Sequence, residues 1–185
     1  MNQYSLNVSD SVVEALRCAQ AGIRRVLSSP FGAPVPGVGC VQVELANGQW
    51  LVIGTDGKDI EFKFEVFPIT AELADRPHTS TLECSVDMPA PVSVSFLETE
   101  DWLDPSVECN GAIGSNPIAQ CQGRPGTAPP GAPASCQYVG GVRFSSATGV
   151  QLVVATLAFP CSCYCSVFPQ GAIFDSNLYV ERIVV

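Results

Sequence analysis

The chain contains two related stretches: VGCVQVELANGQWLVIGTDGKDIEFKFEVFP, residues 38–68, and VGGVRFSSATGVQLVVATLAFPCSCYCSVFP, residues 139–169. They align at a constant offset of 101 residues without a gap, and 11 of the 31 positions are identical. All but one of the identities, Thr55 with Thr156, fall at glycines and at apolar positions, which are the positions where a β-structure depends on residue type. We interpret the stretches as two copies of one β unit, which predicts an internal duplication.

Each copy has the pattern of three strands. Asn47-Gly48 is a strong hairpin turn signal, and Thr148-Gly149 takes its place in the second copy. In the first copy, residues 59–67 alternate between apolar and charged side chains, which predicts one strand with a buried and an exposed face. The apolar side chains are Ile60, Phe62, Phe64 and Val66, and the charged ones are Asp59, Glu61, Lys63 and Glu65. Two further strands are predicted at 91–98 and 177–185.

The segment 10–28 carries apolar residues at helical spacing, which predicts an amphipathic helix that covers a sheet. Ser11 and Glu14 have capping-box spacing at its start, and Pro30 follows its end. The predicted fold class is therefore α+β and mostly β, with two related antiparallel β units and an N-terminal helix.

The Pro/Gly-rich stretch 105–137 is predicted to be a loop or linker between the two units. We expect residues 1–104 to hold the helix and the first β unit, and residues 138–185 to hold the second. Each half is small for an independently stable domain, so a single merged domain is an open alternative.

Charge is distributed unevenly along the chain, whose net charge is −9. Residues 44–108 hold 14 acidic and 3 basic residues, a local charge of −11. This sign disfavours nucleic acid as a ligand and favours a basic protein partner. The polar start of the chain lacks a secretory signal and no apolar stretch has membrane-spanning length, so we expect a cytoplasmic protein without a membrane partner.

No catalytic motif stands out, and His78 is the only histidine. The thiols of the CSCYC segment, Cys161, Cys163 and Cys165, align with the apolar positions of the first copy. On a strand such thiols lie about 6.5–7 Å apart, too far to share a zinc ion, so we expect buried cysteines, no metal site and no cofactor. Whether two of the three cysteines Cys109, Cys121 and Cys136 form a disulfide stays an open question.

The segment ETEDWLDPSVE, residues 98–108, is the strongest candidate site because it surrounds one tryptophan with acidic residues. It is read either as a solvated loop or as a protein interface with an aromatic anchor and steering charge. Together with the charged face of segment 59–67, it defines the predicted partner-binding residues: Asp56, Asp59, Glu61, Glu65, Glu98, Glu100, Asp101, Trp102, Asp104 and Glu108.

The segments GVGCVQVELANGQWLVI, DIEFKFEVFP, GVRFSSATGVQLVVA and NLYVERI resemble, in style, those of immunity proteins of bacterial polymorphic toxin systems. The resemblance covers about half of the chain. It implies a non-enzymatic protein that binds a cognate toxin domain and neutralises it by occluding its active surface. Two alternatives stay open: a structural or assembly component of a phage or secretion apparatus, and a metal-dependent hydrolase.

Overall fold

The computed structural model describes residues 2–28, 40–61, 64–77, 82–84, 86–104, 119–156, 165–170 and 174–184. This part of the chain is mostly β and contains one α-helix, α1 (Asp10–Arg17). Its strands are β1 (Asn2–Ser5), β2 (Gly22–Ser28), β3 (Val41–Leu45), β4 (Trp50–Thr55), β5 (Lys58–Ile60), β6 (Phe64–Val66), β7 (Ile69–Ala74), β8 (Leu82–Cys84), β9 (Met88–Pro89), β10 (Val92–Asp104), β11 (Ala119–Gly123), β12 (Ala134–Ser146), β13 (Gln151–Thr156), β14 (Cys165–Pro169) and β15 (Val180–Ile183). No helix in these ranges is long and apolar enough to cross a bilayer.

The strands form two larger sheets and one small hairpin. Sheet I has the order β7-β4-β3-β2-β8, with β9 also paired to β2. Sheet II has the order β11-β10-β12-β13-β14, with β1 parallel to β12 and β15 antiparallel to β10. The hairpin pairs β5 with β6. Because β10 and β12 are the longest strands, each can hold two short strands along one side, and together they form the centre of sheet II.

One hydrophobic core joins the two sheets and the helix. It contains Leu16 from α1, Val43 and Ile53 from sheet I, and Phe144 and Val154 from sheet II, all of them fully buried. The residues of both predicted β units therefore pack into the same cluster.

The predicted helix over 10–28 is wrong beyond residue 21. A 3₁₀ turn, Cys18–Ala21, follows α1, and Gly22 with a φ of 113° begins β2. A β-bulge between Ile23 and Arg25 puts both Ile23 and Val26 on the buried side, a spacing of three that imitates a helix. The cap also differs from the predicted one, because the Ser9 hydroxyl, and not Ser11, accepts the Val12 N–H at 3.5 Å.

The predicted linker 105–137 is wrong for its second half. Residues 119–123 form β11, and residues 134–137 form the first part of β12. The Pro/Gly content led to the wrong prediction here. The prolines of this half lie in the connection between β11 and β12, where they interrupt no hydrogen bonds between strands. Residues 105–118 lie outside the described residues.

The single strand predicted at 59–67 is a hairpin instead. Strand β5 ends at Ile60, Glu61 adopts a φ of 51°, and β6 begins at Phe64. An alternating pattern does not distinguish one long strand from two short ones that place the same residues inward. The predicted faces are otherwise confirmed: Ile60, Phe64 and Val66 are buried, and Asp59, Glu61 and Glu65 are exposed. Phe62 and Lys63 lie outside the described residues.

The two aligned stretches share one hairpin geometry. Val41 pairs with Ile53 in the first, and Val142 pairs with Val154 in the second, which is the same register at an offset of 101. The continuation differs, because β13 pairs with the next strand of its own copy, β14, whereas β4 pairs with β7. The structural correspondence is therefore a hairpin, and it does not extend to the whole 31-residue stretch.

Alanine at the two turn glycines, Gly48→Ala and Gly149→Ala, should cost a similar amount of stability. Their φ angles are 87° and 85°, and an added Cβ would meet no atom within 4 Å at either site. The cost is therefore conformational, about 1 kcal/mol in each variant. Urea unfolding of both variants checks this, and a difference of more than about 1 kcal/mol between them would contradict equivalent turns.

Candidate functional site

The β5–β6 hairpin presents an acidic face because its apolar face is buried. Ile60, Phe64 and Val66 pack in a second hydrophobic cluster with Leu103 of β10 and Tyr138 of β12. Side chains alternate along a strand, so the residues between them point to solvent. The packing fixes which side of the hairpin faces outward.

Asp59 and Glu65 are direct cross-strand partners on that outer face. Such partners have Cβ atoms about 4.5–5.5 Å apart, and like charges placed directly opposite each other destabilise a strand pair. At the base of the hairpin, Lys58 and Asp56 form an exposed ion pair at 2.5 Å. We call Asp56, Asp59, Glu61 and Glu65 the acidic hairpin surface.

Gln120 of β11 connects this hairpin to sheet II. Its Nε2 donates to the main-chain oxygen of Glu65 at 2.8 Å and to Oδ2 of Asp101 at 2.8 Å. Gln120 also pairs with Leu103, the neighbour of half-buried Asp104. Because Leu103 packs against the hairpin and side chains alternate along a strand, Asp104 faces the opposite side of sheet II from the acidic hairpin surface.

Glu100 and Asp101 do not contribute to any exposed surface, because their side chains are 1% and 0% accessible. They lie in β10, and the predicted acidic loop is therefore wrong over residues 98–104. Glu100 Oε2 accepts the Gly126 N–H at 2.7 Å, and Asp101 Oδ1 accepts the Tyr138 hydroxyl at 3.2 Å. The burial of Glu100 and Asp101 contradicts the prediction that they contact a partner.

Burial shifts the acid–base behaviour of the Asp101 region. Desolvation raises the pKa of Asp101 to about 6, an effect that hydrogen bonds from Gln120 and Tyr138 oppose and the Glu100 carboxylate reinforces. Desolvation also raises the pKa of Tyr138 well above its usual range, with the Asp101 charge adding to the shift. At neutral pH the Tyr138 hydroxyl is therefore the donor and the Asp101 carboxylate the acceptor.

Trp102 and Glu98 lie apart from the acidic hairpin surface. The Trp102 ring packs so closely on Gly123 that an added Cβ there would lie 2.8 Å from it. Its indole Nε1 is buried and has no hydrogen-bond partner within the described ranges. Glu98 pairs with Arg182 at 2.5 Å in the middle of β10. Glu108 lies outside the described residues.

The structure shows free thiols at Cys18, Cys40, Cys121, Cys136 and Cys165. Cys165 is buried, and burial raises the pKa of its thiol to about 12, which agrees with the predicted core position; Cys161 and Cys163 lie outside the described residues. Cys121 and Cys136 flank β10 on opposite sides, so they lie about 9.6 Å apart, too far for a disulfide. The described residues include no group of three or more potential metal ligands.

A pair of arginines beside the segment that leads into β15, Arg124 and Arg143, was missed by sequence reasoning. Arg124 donates to the main-chain oxygen of Tyr179, and Arg143 pairs with Glu181. The sequence signal was weak because the two arginines are far apart in the chain and meet only through this later segment.

The chain matches no family model, no curated protein and no solved structure in comparisons with known proteins.

Proposed function

We propose that this protein is a non-enzymatic binding protein, an immunity protein that neutralises a cognate bacterial toxin. The observation that supports this function is the acidic hairpin surface, where Asp59 and Glu65 oppose each other on an exposed face. Acidic side chains grouped on one exposed face complement the charge of a basic partner. The proposed mechanism is occlusion of the toxin's basic active surface.

The hairpin is suited to this role because it is held in place before binding. Its apolar face packs on Leu103 and Tyr138, and Gln120 donates to the Glu65 main chain at 2.8 Å. A surface that is already ordered loses less conformational entropy on association. Its charge would also attract a basic toxin domain and accelerate the encounter.

We further propose that the two corresponding hairpins arose by duplication and that only the first copy retained a docking role. Ser166 of β14 occupies the position that Glu65 has in the first copy. The charged outer face is thus specific to the copy that carries the acidic hairpin surface. We also propose a cytoplasmic location, since a toxin must be neutralised where its target lies.

Co-expression with the products of neighbouring genes tests the proposed function. Each product is induced in a bacterial host with and without this protein, and growth is recorded. We expect one product to arrest growth, to be neutralised by co-expression and to co-purify with this protein. If none of the neighbouring products is toxic or bound, the immunity function is wrong.

Charge reversal at Glu65 (Glu65→Lys) should slow association with that toxin about tenfold at low salt. The same change places a lysine opposite Asp59, so the stability of the free protein should stay unchanged or rise by a few tenths of a kcal/mol. Stopped-flow association rates and urea unfolding measure the two effects. A binding loss without a stability loss identifies a docking residue.

The matched control is Asp75→Lys, an equal charge change at an exposed residue after the end of β7. Asp75 lies about 20 Å along β7 from Ile69, the end nearest the hairpin. It should change the association rate less than twofold. Equal effects of the two variants would show that net charge, and not the acidic hairpin surface, governs binding.

A further inference from the structure

A polar pocket of about 250 Å³ lies where β10 and β12 meet the segment that leads into β15. Its lining residues come from four separate parts of the chain: Leu97, Arg124, Arg143, Phe174, Ser176, Asn177, Tyr179 and Glu181. It is smaller than the roughly 300–1,000 Å³ of pockets for drug-sized ligands. Its size therefore suits a small ligand or one charged group of a larger ligand.

Two arginines line this pocket and are anchored to the same short segment. Arg124 Nε donates to the main-chain oxygen of Tyr179 at 3.2 Å, and Arg143 Nη1 donates to Glu181 Oε2 at 2.6 Å. Positions 179 and 181 lie about 6.5–7 Å apart on an extended chain. The anchors hold two guanidinium groups beside one cavity. Arg143 Nε is buried and has no hydrogen-bond partner among the residues that the structure describes.

The charge of the lining distinguishes this pocket from its neighbours. Arg124, Arg143 and Glu181 give it a net charge of +1, whereas the chain as a whole carries −9. The pocket around Glu98 and Arg182 is neutral, and the one that contains Glu72 has a net charge of −1. A positive cavity in an acidic protein favours an anion, and Ser176 and Asn177 add neutral hydrogen-bonding groups.

We propose that this pocket binds a small oxyanion, a phosphate or carboxylate group, between Arg124 and Arg143. Guanidinium groups match the planar, multiply accepting geometry of such anions. In the free protein, Glu181 already supplies one carboxylate to Arg143. The bound anion therefore shares Arg143 with Glu181, which makes Glu181 an internal competitor for the site.

Calorimetric titration of the full chain with sodium phosphate and, separately, with sodium acetate tests this proposal. Sodium chloride keeps the ionic strength constant. We expect saturable binding of at least one anion, and whichever anion binds identifies the source of the oxyanion group. Arg124→Gln should bind about tenfold more weakly, because a charge-assisted hydrogen bond is lost. If neither anion binds the unaltered protein saturably, the proposal is wrong.

Glu181→Gln provides the opposite test, because removal of the competitor should tighten binding severalfold. Its matched control is Glu98→Gln, which removes an equivalent carboxylate from the Glu98–Arg182 pair outside this pocket. The control makes the same change in net charge and should alter the affinity less than twofold. Equal tightening in both variants would show a general charge effect and would overturn the site. Because Glu181 is 39% exposed, its replacement should leave the fold intact.

Discussion

Replacing Phe144 with alanine should lower the free energy of unfolding by about 3–5 kcal/mol. Phe144 is fully buried in the shared core, and its strand neighbours are Val94 on β10 and Leu152 on β13. Truncation removes most of a large apolar side chain and leaves a cavity that three adjoining strands cannot close without breaking their ladders. This loss is a large fraction of the total free energy of unfolding of a typical protein domain.

Urea unfolding followed by circular dichroism and by tryptophan fluorescence measures the effect. Trp50 lies in sheet I and Trp102 in sheet II, so the fluorescence reports on both sheets. We expect one transition that moves to lower urea in both signals. The control is Ile183→Ala, at a side chain 69% exposed, which should change stability by less than about 0.5 kcal/mol. Two separate transitions, with only one moved, would contradict a single shared core.

Asp101→Asn should stabilise the protein by about 1–3 kcal/mol at pH 7.5 and have little effect below pH 4. Desolvation raises the pKa of Asp101 from 3.8 to about 6 on folding. Between these values the folded state binds more protons than the unfolded state, so stability falls as pH rises through this window. Above pH 7 the full cost of the buried carboxylate is present, and the neutral amide removes it.

The expected stabilisation is smaller than the full free energy that corresponds to the pKa shift. The asparagine side chain has one acceptor oxygen, whereas the Asp101 carboxylate has two. The asparagine Oδ1 can still accept the Tyr138 hydroxyl, whereas its amide nitrogen faces Gln120 Nε2 unless the Gln120 amide turns over. Urea unfolding of wild type and variant from pH 4 to pH 8 gives the stability difference at each pH. Exposed Asp87→Asn serves as the control and should show no such trend. A difference independent of pH would refute a raised Asp101 pKa.

The parts of the fold that local sequence determines were predictable. The paired turns at Gly48 and Gly149 and the inward positions Ile60, Phe64 and Val66 depend on backbone freedom and on alternation over a few residues. The mostly β class follows from the same signals. The duplication inferred from the aligned stretches stays a prediction.

The errors came from features that local sequence does not encode. The bulge at Ile23 and Arg25 gives a strand the spacing of a helix, so periodicity favoured the wrong structure. The acidic run around Asp101 suggested solvent exposure, but β10 is flanked there by β11 and β12. Burial of that carboxylate depends on chain segments about 20 to 35 residues away, which no local pattern specifies.

The central pair of sheet II also determines the order in which the fold can be completed during synthesis. Strand β1 is synthesised about 130 residues before its partners, residues 134–137 of β12. Strand β15 is synthesised more than 80 residues after its partners, residues 95–98 of β10. Contacts of such long sequence separation slow folding. Strands β1 and β10 therefore expose unpaired edges until their partner strands have been synthesised. Nascent chains that stall before residue 134 should therefore be the form most in need of a chaperone.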